Sequence, residues 1–516
     1  MDTKALRQKI LDLAIRGKLV PQDPKDEPAA VLLERIRAEK QRMVKDGKLK
    51  PKDIKNDTVI FKGDDNLHYE KFPDGTVKCI EDEIPFELPE GWSWTRLGSL
   101  FSTITGSTPS TKDASLYGDE YPFYKPTDLD AGFDVCVSED TVSEKGYKNG
   151  RILPMYSVLV TCIGATIGKT GYIKNSGICN QQINAILPNT FILPEYTYFC
   201  MCSEFEQQQI WTNSSATTLP ILNKSKFDIL FFPVPPKAQQ TRTVERIKEL
   251  LHFVEIIQQE KRTLQETIKL TKSKILDLAI RGKLVPQDPN DEPASVLLER
   301  IRSEKEELIK QGKIKRDKKE SVIFKGDDNS YYEKIGNDVT CIDDEISFDI
   351  PDTWSWTRIS TITDITMGSS PKSQDIFNDN QYIEFHQGKI YFSKKTLMKS
   401  NQYTRKTTKL APKQSVLLCV RAPVGELNIT DRDICIGRGL ASIKSLGNIN
   451  EEFIFYWLHP YKTYLVNQST GSTFSAITSD TVRKILIPLP PLMEQKEILD
   501  KIQKVFTLFE NLETVN

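Results

Sequence analysis

Residues 164–170 read GATIGKT, and their glycines and lysine invite a nucleotide-binding reading. A phosphate-binding loop has the form GxxxxGK[ST], in which backbone N–H groups and the lysine hold the phosphates. Counting back from Gly168, the position that needs a glycine is occupied by Ile163, and Gly164 stands one place too close. A tight glycine turn between strands is the plainer reading, and contact of Lys169 with a phosphate is the sharper one. The four histidines (His68, His252, His386, His459) are scattered, so a zinc site is not indicated, and none has a placed serine or cysteine partner. The nine cysteines form no CxxC pair, and their odd number argues for reduced cytosolic thiols over a closed disulfide framework. Trp92 and Trp94 recur as Trp354 and Trp356 in paired WSW runs. Alternating aromatics in a strand are core residues first; base stacking belongs mainly to single-stranded targets.

Composition narrows the class further. A chain of 516 residues has room for about three or four domains. Hydrophobic content of 38% and charge of 27% suit a soluble globular protein. A formal net charge of -1 gives no global sign of nucleic-acid binding. Any such binding must rest on local patches or on a basic partner. The start, MDTKALRQKILDL, does not read as a signal peptide, and no window reaches the roughly 18 apolar residues of a membrane span.

The elements that position these residues come in two copies. ILDLAIRGKLVPQDP at 10–24 recurs letter for letter at 275–289. VLLERIR at 31–37, VIFKGDDN at 59–66 and WSWTR at 92–96 recur at 296–302, 322–329 and 354–358. Leu6, Ile10, Leu13 and Ala14 predict a helix over 3–17 that Gly17 closes. A second helix is predicted over 28–44, a solvated loop over 45–57, and a short helix over 194–210. Between PEGWSWTRL and PVPPKAQQ, short β-rich runs alternate with turns. Val244, Ile247, Leu251 and Val254 then step at helical spacing, and the pattern runs from 241 to 281 as an irregular coiled-coil seam. A straight helix of that length would be a rod of roughly 60 Å.

Leu499, Ile502, Phe506 and Phe509 align with the front of that long helix, and the N-terminal helix aligns with its back. The repeat is thus circular. The fold expected is α+β: two globular mixed α/β heads separated by an antiparallel two-helix coiled-coil spacer, with pseudo-two-fold symmetry and neighbouring termini. The boundaries are a conserved helical region and lead-in at 1–83, a first head at 84–236, a central region with the long helix at 237–345, a second head at 346–491, and a C-terminal helix at 492–516. The repeats are near-identical while the heads have diverged, which suits two different ligands read at a fixed distance.

Four motifs carry a family resemblance: LRQKILDLAIRGKLVPQDP, PEGWSWTRL, RAPVG at 421–425 and PLPPLMEQKEI before the last helix. Together they resemble the specificity subunit of type I restriction–modification systems over nearly the whole chain. The resemblance implies that the heads are target recognition domains, each reading half of a split, asymmetric DNA sequence. It implies partners: double-stranded DNA, two methyltransferase subunits and restriction subunits. It also implies that S-adenosylmethionine, ATP and magnesium serve those partners, with no cofactor on this chain, in a cytoplasmic complex of phage defence. The sequence agrees in holding no N/D-P-P-Y/F motif for a flipped adenine. A specificity subunit without a restriction partner, a coiled-coil tether for proteins, and a P-loop-type ATPase are the alternatives.

Base readout needs Arg, Lys, Asn, Gln, Ser and Thr on exposed loops. In the first head the candidates are Ser107, Thr108, Lys125, Lys148, Lys169, Asn180, Gln181, Gln182 and the run 212–218, with Ser214 and Ser215. In the second they are Ser369, Ser370, Lys372, His386, Gln387, Lys394, Lys395, Arg405, Lys406, Arg421, Arg438, Ser472 and Thr473. The stretch from Lys394 to Arg438 is locally basic, as a phosphate-lined face would be.

Overall fold

The computed structural model describes residues 2–215, 219–316, 320–469 and 476–515. The chain divides into two compact units, 1–260 and 261–516.

In the first unit, the N-terminal helix Thr3–Ile15 starts where the Asp2 carboxylate accepts the N–H groups of Lys4 and Ala5. Its Ile10, Leu11, Ala14 and Ile15 are buried. It stops two residues short of the predicted end, and Gly17, at φ +64°, turns the chain out of the helix. The buried stripe packs with Val244, Ile247 and Val254 from the front of the long helix Lys237–Ile280. The pairing is antiparallel: Arg7 meets Glu255 at one end, and Asp26, beyond the helix, meets Arg242 at the other. The long helix begins four residues before the predicted 241. Pro235 and Pro236 stand just ahead of it, where a missing N–H costs nothing.

The second helix, Ala29–Lys45, carries Lys40 into the interior. Its ammonium donates to the carbonyls of Gly98 and Ser99, each at 2.8 Å, and pairs with Asp57 at 3.0 Å. The loop predicted as solvated is so for most of its length, but its last residue is this ion-pair partner. VIFK then opens a three-stranded meander, Val59–Lys62, His68–Lys71 and Val77–Cys79, of which only the first strand was legible.

Ser93–Arg96 and Phe231–Val234 pair antiparallel at the base of the head. Trp92 and Trp94 are buried there, as the core reading expects. Beyond them lies a four-stranded antiparallel sheet in the order Thr103–Thr105, Ile183–Ile186, Val158–Thr161, Thr170–Tyr172. A three-stranded sheet places Tyr117–Tyr124 between Ile178–Cys179 and Asp140–Val142. The single helix predicted over 194–210 is two, Pro194–Met201 and Glu204–Asn213. Ser203 breaks it, because its hydroxyl accepts the Glu206 N–H and so caps a new helix.

The second unit repeats this order. The back of the long helix packs Leu276, Ala279 and Ile280 with Ile498, Leu499 and Ile502 of the C-terminal helix Leu492–Val515. Helix Ala294–Lys310 and the meander Ser321–Lys325, Tyr331–Ile335 and Asp338–Cys341 follow. Ser355–Arg358 pairs with Leu486–Leu489, and Trp354 and Trp356 are buried. The four-stranded sheet runs Thr363–Met367, Leu440–Ser445, Ser415–Cys419, Leu427–Thr430. The neighbouring sheet has grown to five short strands centred on Ile383–His386.

Candidate nucleic-acid interface

The GATIGKT stretch forms the turn between strands Val158–Thr161 and Thr170–Tyr172, with Gly164 and Gly168 at φ +100° and +86°. A strand, not a helix, follows it, so the context a phosphate-binding loop requires is missing. Lys169 is ion-paired with Asp130 at 2.7 Å.

The interface is built from backbone. In the first unit Gly106 N–H donates to Ile183 O at 2.9 Å, Ser107 N–H to Cys179 O at 2.8 Å, Asn180 N–H to Tyr124 O at 3.1 Å and Cys162 N–H to Gln182 O at 2.7 Å. These bonds gather three segments, 106–108, 162–163 and 180–182, beside residues 124–125. Ile163 bridges to Ile221, which bridges in turn to Ser215, so Ser215 and Ile221 join the group. The second unit makes the same bonds. Gly368 N–H donates to Leu440 O at 2.9 Å, Ser369 N–H to Ile436 O at 3.0 Å, Gly437 N–H to His386 O at 2.8 Å and Val420 N–H to Gly439 O at 2.9 Å. Arg421 bridges to Ala476 as Ile163 does to Ile221.

Bond for bond, these contacts define a structural alignment in which Thr108 matches Ser370, Lys125 matches Gln387, Ile163 matches Arg421 and Gln181 matches Arg438; the Thr161 N–H bond to Lys169 O and the Cys419 N–H bond to Glu426 O, each 2.8 Å, match Lys169 with Glu426. One main-chain frame occurs twice and displays different side chains. Closeness of backbone is what makes the frame. A Cβ on Gly106 would lie 2.1 Å from Asn180 O, and one on Gly368 would lie 2.1 Å from Gly437 O.

Of the predicted residues, Ser107, Thr108, Lys125, Gln181, Gln182 and Ser215 come together in the first unit. The Thr108 hydroxyl donates to Gln181 Oε1 at 2.5 Å, and Lys125 is ion-paired with Asp140. Asn180 is buried, its amide bonded to Gln182, so its side chain is a frame member and not a reader. Lys148 lies apart, on helix Glu144–Asn149, and pairs with Glu144 at 2.7 Å. The Ser214 hydroxyl is turned back to Trp211 O. Arg151 escaped the sequence reading although its guanidinium donates to Thr105 O, one residue before the frame glycine. An arginine beside Gly150 was the available signal.

In the second unit Ser369, Ser370, Gln387, Arg421 and Arg438 come together. Ser370 Oγ donates to Gln387 Oε1 at 2.8 Å and accepts the Arg438 N–H at 3.3 Å. The basic stretch is not one face. Lys394 and Lys395 pair with Glu513 and Glu452, at 3.3 and 2.6 Å, and Arg405 approaches Asp375 at 3.6 Å. Lys372, Lys406, Arg421 and Arg438 are exposed and have no ion-pair partner among the described residues. His386 is withdrawn from the candidates. It is 0% exposed, and its Nε2 lies 2.8 Å from Glu384 Oε1. Burial pushes its pKa below the ordinary 6.5, against the pull of Glu384. Burial opposes ionisation of Glu384 too, but Arg432, the Ser400 N–H and His386 outweigh it and hold the carboxyl down to about 2. Ser472 and Thr473, with residues 216–218 of the polar run, lie outside the described residues.

Nothing in this arrangement resembles an activated nucleophile. Burial pushes the thiols of Cys162 and Cys179, next to the frame, up to about 11 and about 12, so both stay protonated. What the frame offers is neutral amides, hydroxyls and two guanidinium groups without an ion-pair partner among the described residues, which suits recognition.

Comparison with known proteins agrees. The type I restriction modification DNA specificity domain matches residues 89–266, which cover most of the first unit and six residues beyond it, and again 351–516 in the second. The EcoAI specificity subunit of Escherichia coli is 24% identical, covering 99% of this chain and 90% of that protein. The EcoEI specificity subunit, also of Escherichia coli, is 27% identical with the same coverage. Among solved structures, a chain of a type I R-M system studied for complex assembly and conformational transition shares the fold, with a TM-score of 0.58 at 20% identity over 84% of this chain and 94% of that one. The HsdS subunit from Thermoanaerobacter tengcongensis gives a TM-score of 0.50 at 20% identity, over 84% of this chain and 93% of that one. With its two matches together spanning more than half of the sequence, the chain belongs to the type I restriction–modification DNA specificity family.

Proposed function

We propose that this chain is the DNA-reading subunit of a type I restriction–modification complex, in which each unit recognises one half of a bipartite, asymmetric duplex target. The observation that carries this reading is the doubled frame: equal backbone, unequal side chains. Equal frames are suited to meet the same kind of ligand, and unequal side chains to select different letters of it. The helical spacer sets the separation of the half-sites. The near-identical repeats, one per unit, dock two methyltransferase subunits, and restriction subunits join them. The chain itself performs no chemistry. S-adenosylmethionine, ATP and magnesium act in the partner subunits, within the cytoplasm. None of the described helices is long and apolar enough to cross a membrane.

Mapping modified adenines in the host genome by long-read sequencing, with and without this gene, tests the reading. The expected result is a split motif with two different halves that disappears on deletion. A motif that survives deletion, or a continuous one, overturns it.

A further inference from the structure

Resting on the reading that the units recognise duplex DNA, we infer that Gln181 and Arg438 occupy one reading position and set the base there. Arg438 selects guanine in the half-site of the second unit, and Gln181 selects adenine in that of the first. The assignment starts from the frame. Gln181 sits between Asn180, whose N–H is bound to Tyr124 O, and Gln182, whose carbonyl receives the Cys162 N–H. Arg438 sits between Gly437 and Gly439, which make the same two bonds with His386 and Val420. Each residue is thus held on both sides by main chain and is exposed to solvent. Each also touches the hydroxyl at the matched position, Thr108 for Gln181 and Ser370 for Arg438.

The chemistry of the two side chains then separates their ligands. The Arg438 guanidinium has no ion-pair partner among the described residues, while Lys394, Lys395 and Arg405 of the same unit are paired with carboxylates. Its flanking glycines carry no side chains to crowd it. A guanidinium offers only donors, in a planar fork, and guanine alone presents two acceptors, N7 and O6, side by side in the major groove. A glutamine amide offers one donor and one acceptor group. Thr108 occupies one lone pair of Gln181 Oε1, which orients the amide and leaves the second lone pair and the Nε2 hydrogens outward. That pattern complements N6 and N7 of adenine. Arg421, at the place of Ile163, supplies a second free cation beside Arg438, suited to a phosphate.

The test uses cells carrying the full chain with its partner subunits, and reads the modified motif by long-read sequencing for the wild type, Arg438→Gln, Arg438→Ala and Gln181→Arg. The expected result is a guanine in one half-site whose preference falls on the order of 10- to 100-fold in both Arg438 variants, with the other half unchanged. Gln181→Arg should alter one adenine position of that other half alone. An unchanged motif in the Arg438 variants overturns the inference, as does a uniform loss across all sequences, which marks a phosphate contact, or a change in both halves. If neither Arg438 variant supports modification at all, Gln181→Arg decides alone, since it replaces one exposed side chain by another. A wild type with no chain-dependent motif overturns the underlying function and this inference with it.

Discussion

At the scale of single residues, the polar side chains on glycine- and proline-marked turns were readable, because such turns lie on the surface. Ser107, Thr108 and Gln181 follow from that rule, as do Ser369, Ser370, Arg421 and Arg438. His386 and Asn180 do not, since which face of a strand end points inward depends on pairing partners distant in sequence. The His386 environment leads to a pH prediction. Unfolded, its ring takes up a proton near 6.5; folded, burial holds its pKa lower. Stability is therefore full above the unfolded value and is lost as pH falls through the folded one. Glu384, lowered from 4.5 to about 2, adds a second loss in the window between those values. Because His386 O holds the frame N–H of Gly437, loosening should show there first. Protection of the full chain against hydrogen exchange, taken relative to the intrinsic amide rate at each pH, should fall at 383–387 and 434–440 between pH 7.5 and 5.5, and His386→Asn should flatten that dependence. Equal acceleration in the first unit, whose matched residue is Tyr124, would count against this account.

Elements were legible where one period dominates. The long helix was found nearly whole, and its start was misplaced only because prolines read as a terminus when they also begin helices. The meander was legible only at its first strand, since the third strand is short and exposed in both units and the buried positions of the second strand in the first unit are the polar His68 and Glu70. The Ser203 break was missed because serine caps and interrupts helices with equal ease. In the proposed function the frame is the element that carries recognition, and its glycines set its tolerance. Gly106→Ala would push a methyl group to 2.1 Å from Asn180 O and 2.4 Å from Cys179 O, both backbone atoms that cannot swing aside. Overpacking of this kind costs about 1–3 kcal/mol. Hydrogen exchange in the variant should speed up at Gly106-to-Ser107 amides while Ser369 stays protected, and Gly368→Ala should do the reverse. Gly388→Ala, with nothing within 4 Å of the added carbon, is the silent control. Simultaneous loss in both units from one substitution would show that the frames are not independent.

For the molecule as a whole, the duplication was the most legible feature, because residues 10–24 recur letter for letter at 275–289 and the heads have drifted much further than the scaffold. What sequence could not supply was the state of the charges. A net charge of -1 suggested that DNA affinity rests on patches, and the structure shows that several of the candidate cations are committed to carboxylates. Lys125, Lys148 and Lys169 in the first unit are paired with carboxylates, as are Lys394, Lys395 and Arg405 in the second. Pairs this exposed are individually weak, yet a lysine already balanced by a carboxylate neutralises a phosphate only by giving up that partner. Each phosphate neutralised contributes a slope of about -0.9 to the dependence of log K on log salt for duplex DNA. Among the described residues Lys372, Lys406, Arg421 and Arg438 are the candidates without an ion-pair partner, and together they should contribute a slope of about -4. Its affinity at physiological salt should be correspondingly modest. Fluorescence anisotropy with a labelled duplex bearing the target, over a series of salt concentrations, measures both. Tight specific binding by the chain alone at physiological salt, or a much steeper slope, would mean that the paired lysines release their carboxylates on contact with DNA. On the proposed function, the addition of methyltransferase subunits should instead raise both the affinity and the slope, because a partner that also grips the duplex adds phosphate contacts of its own.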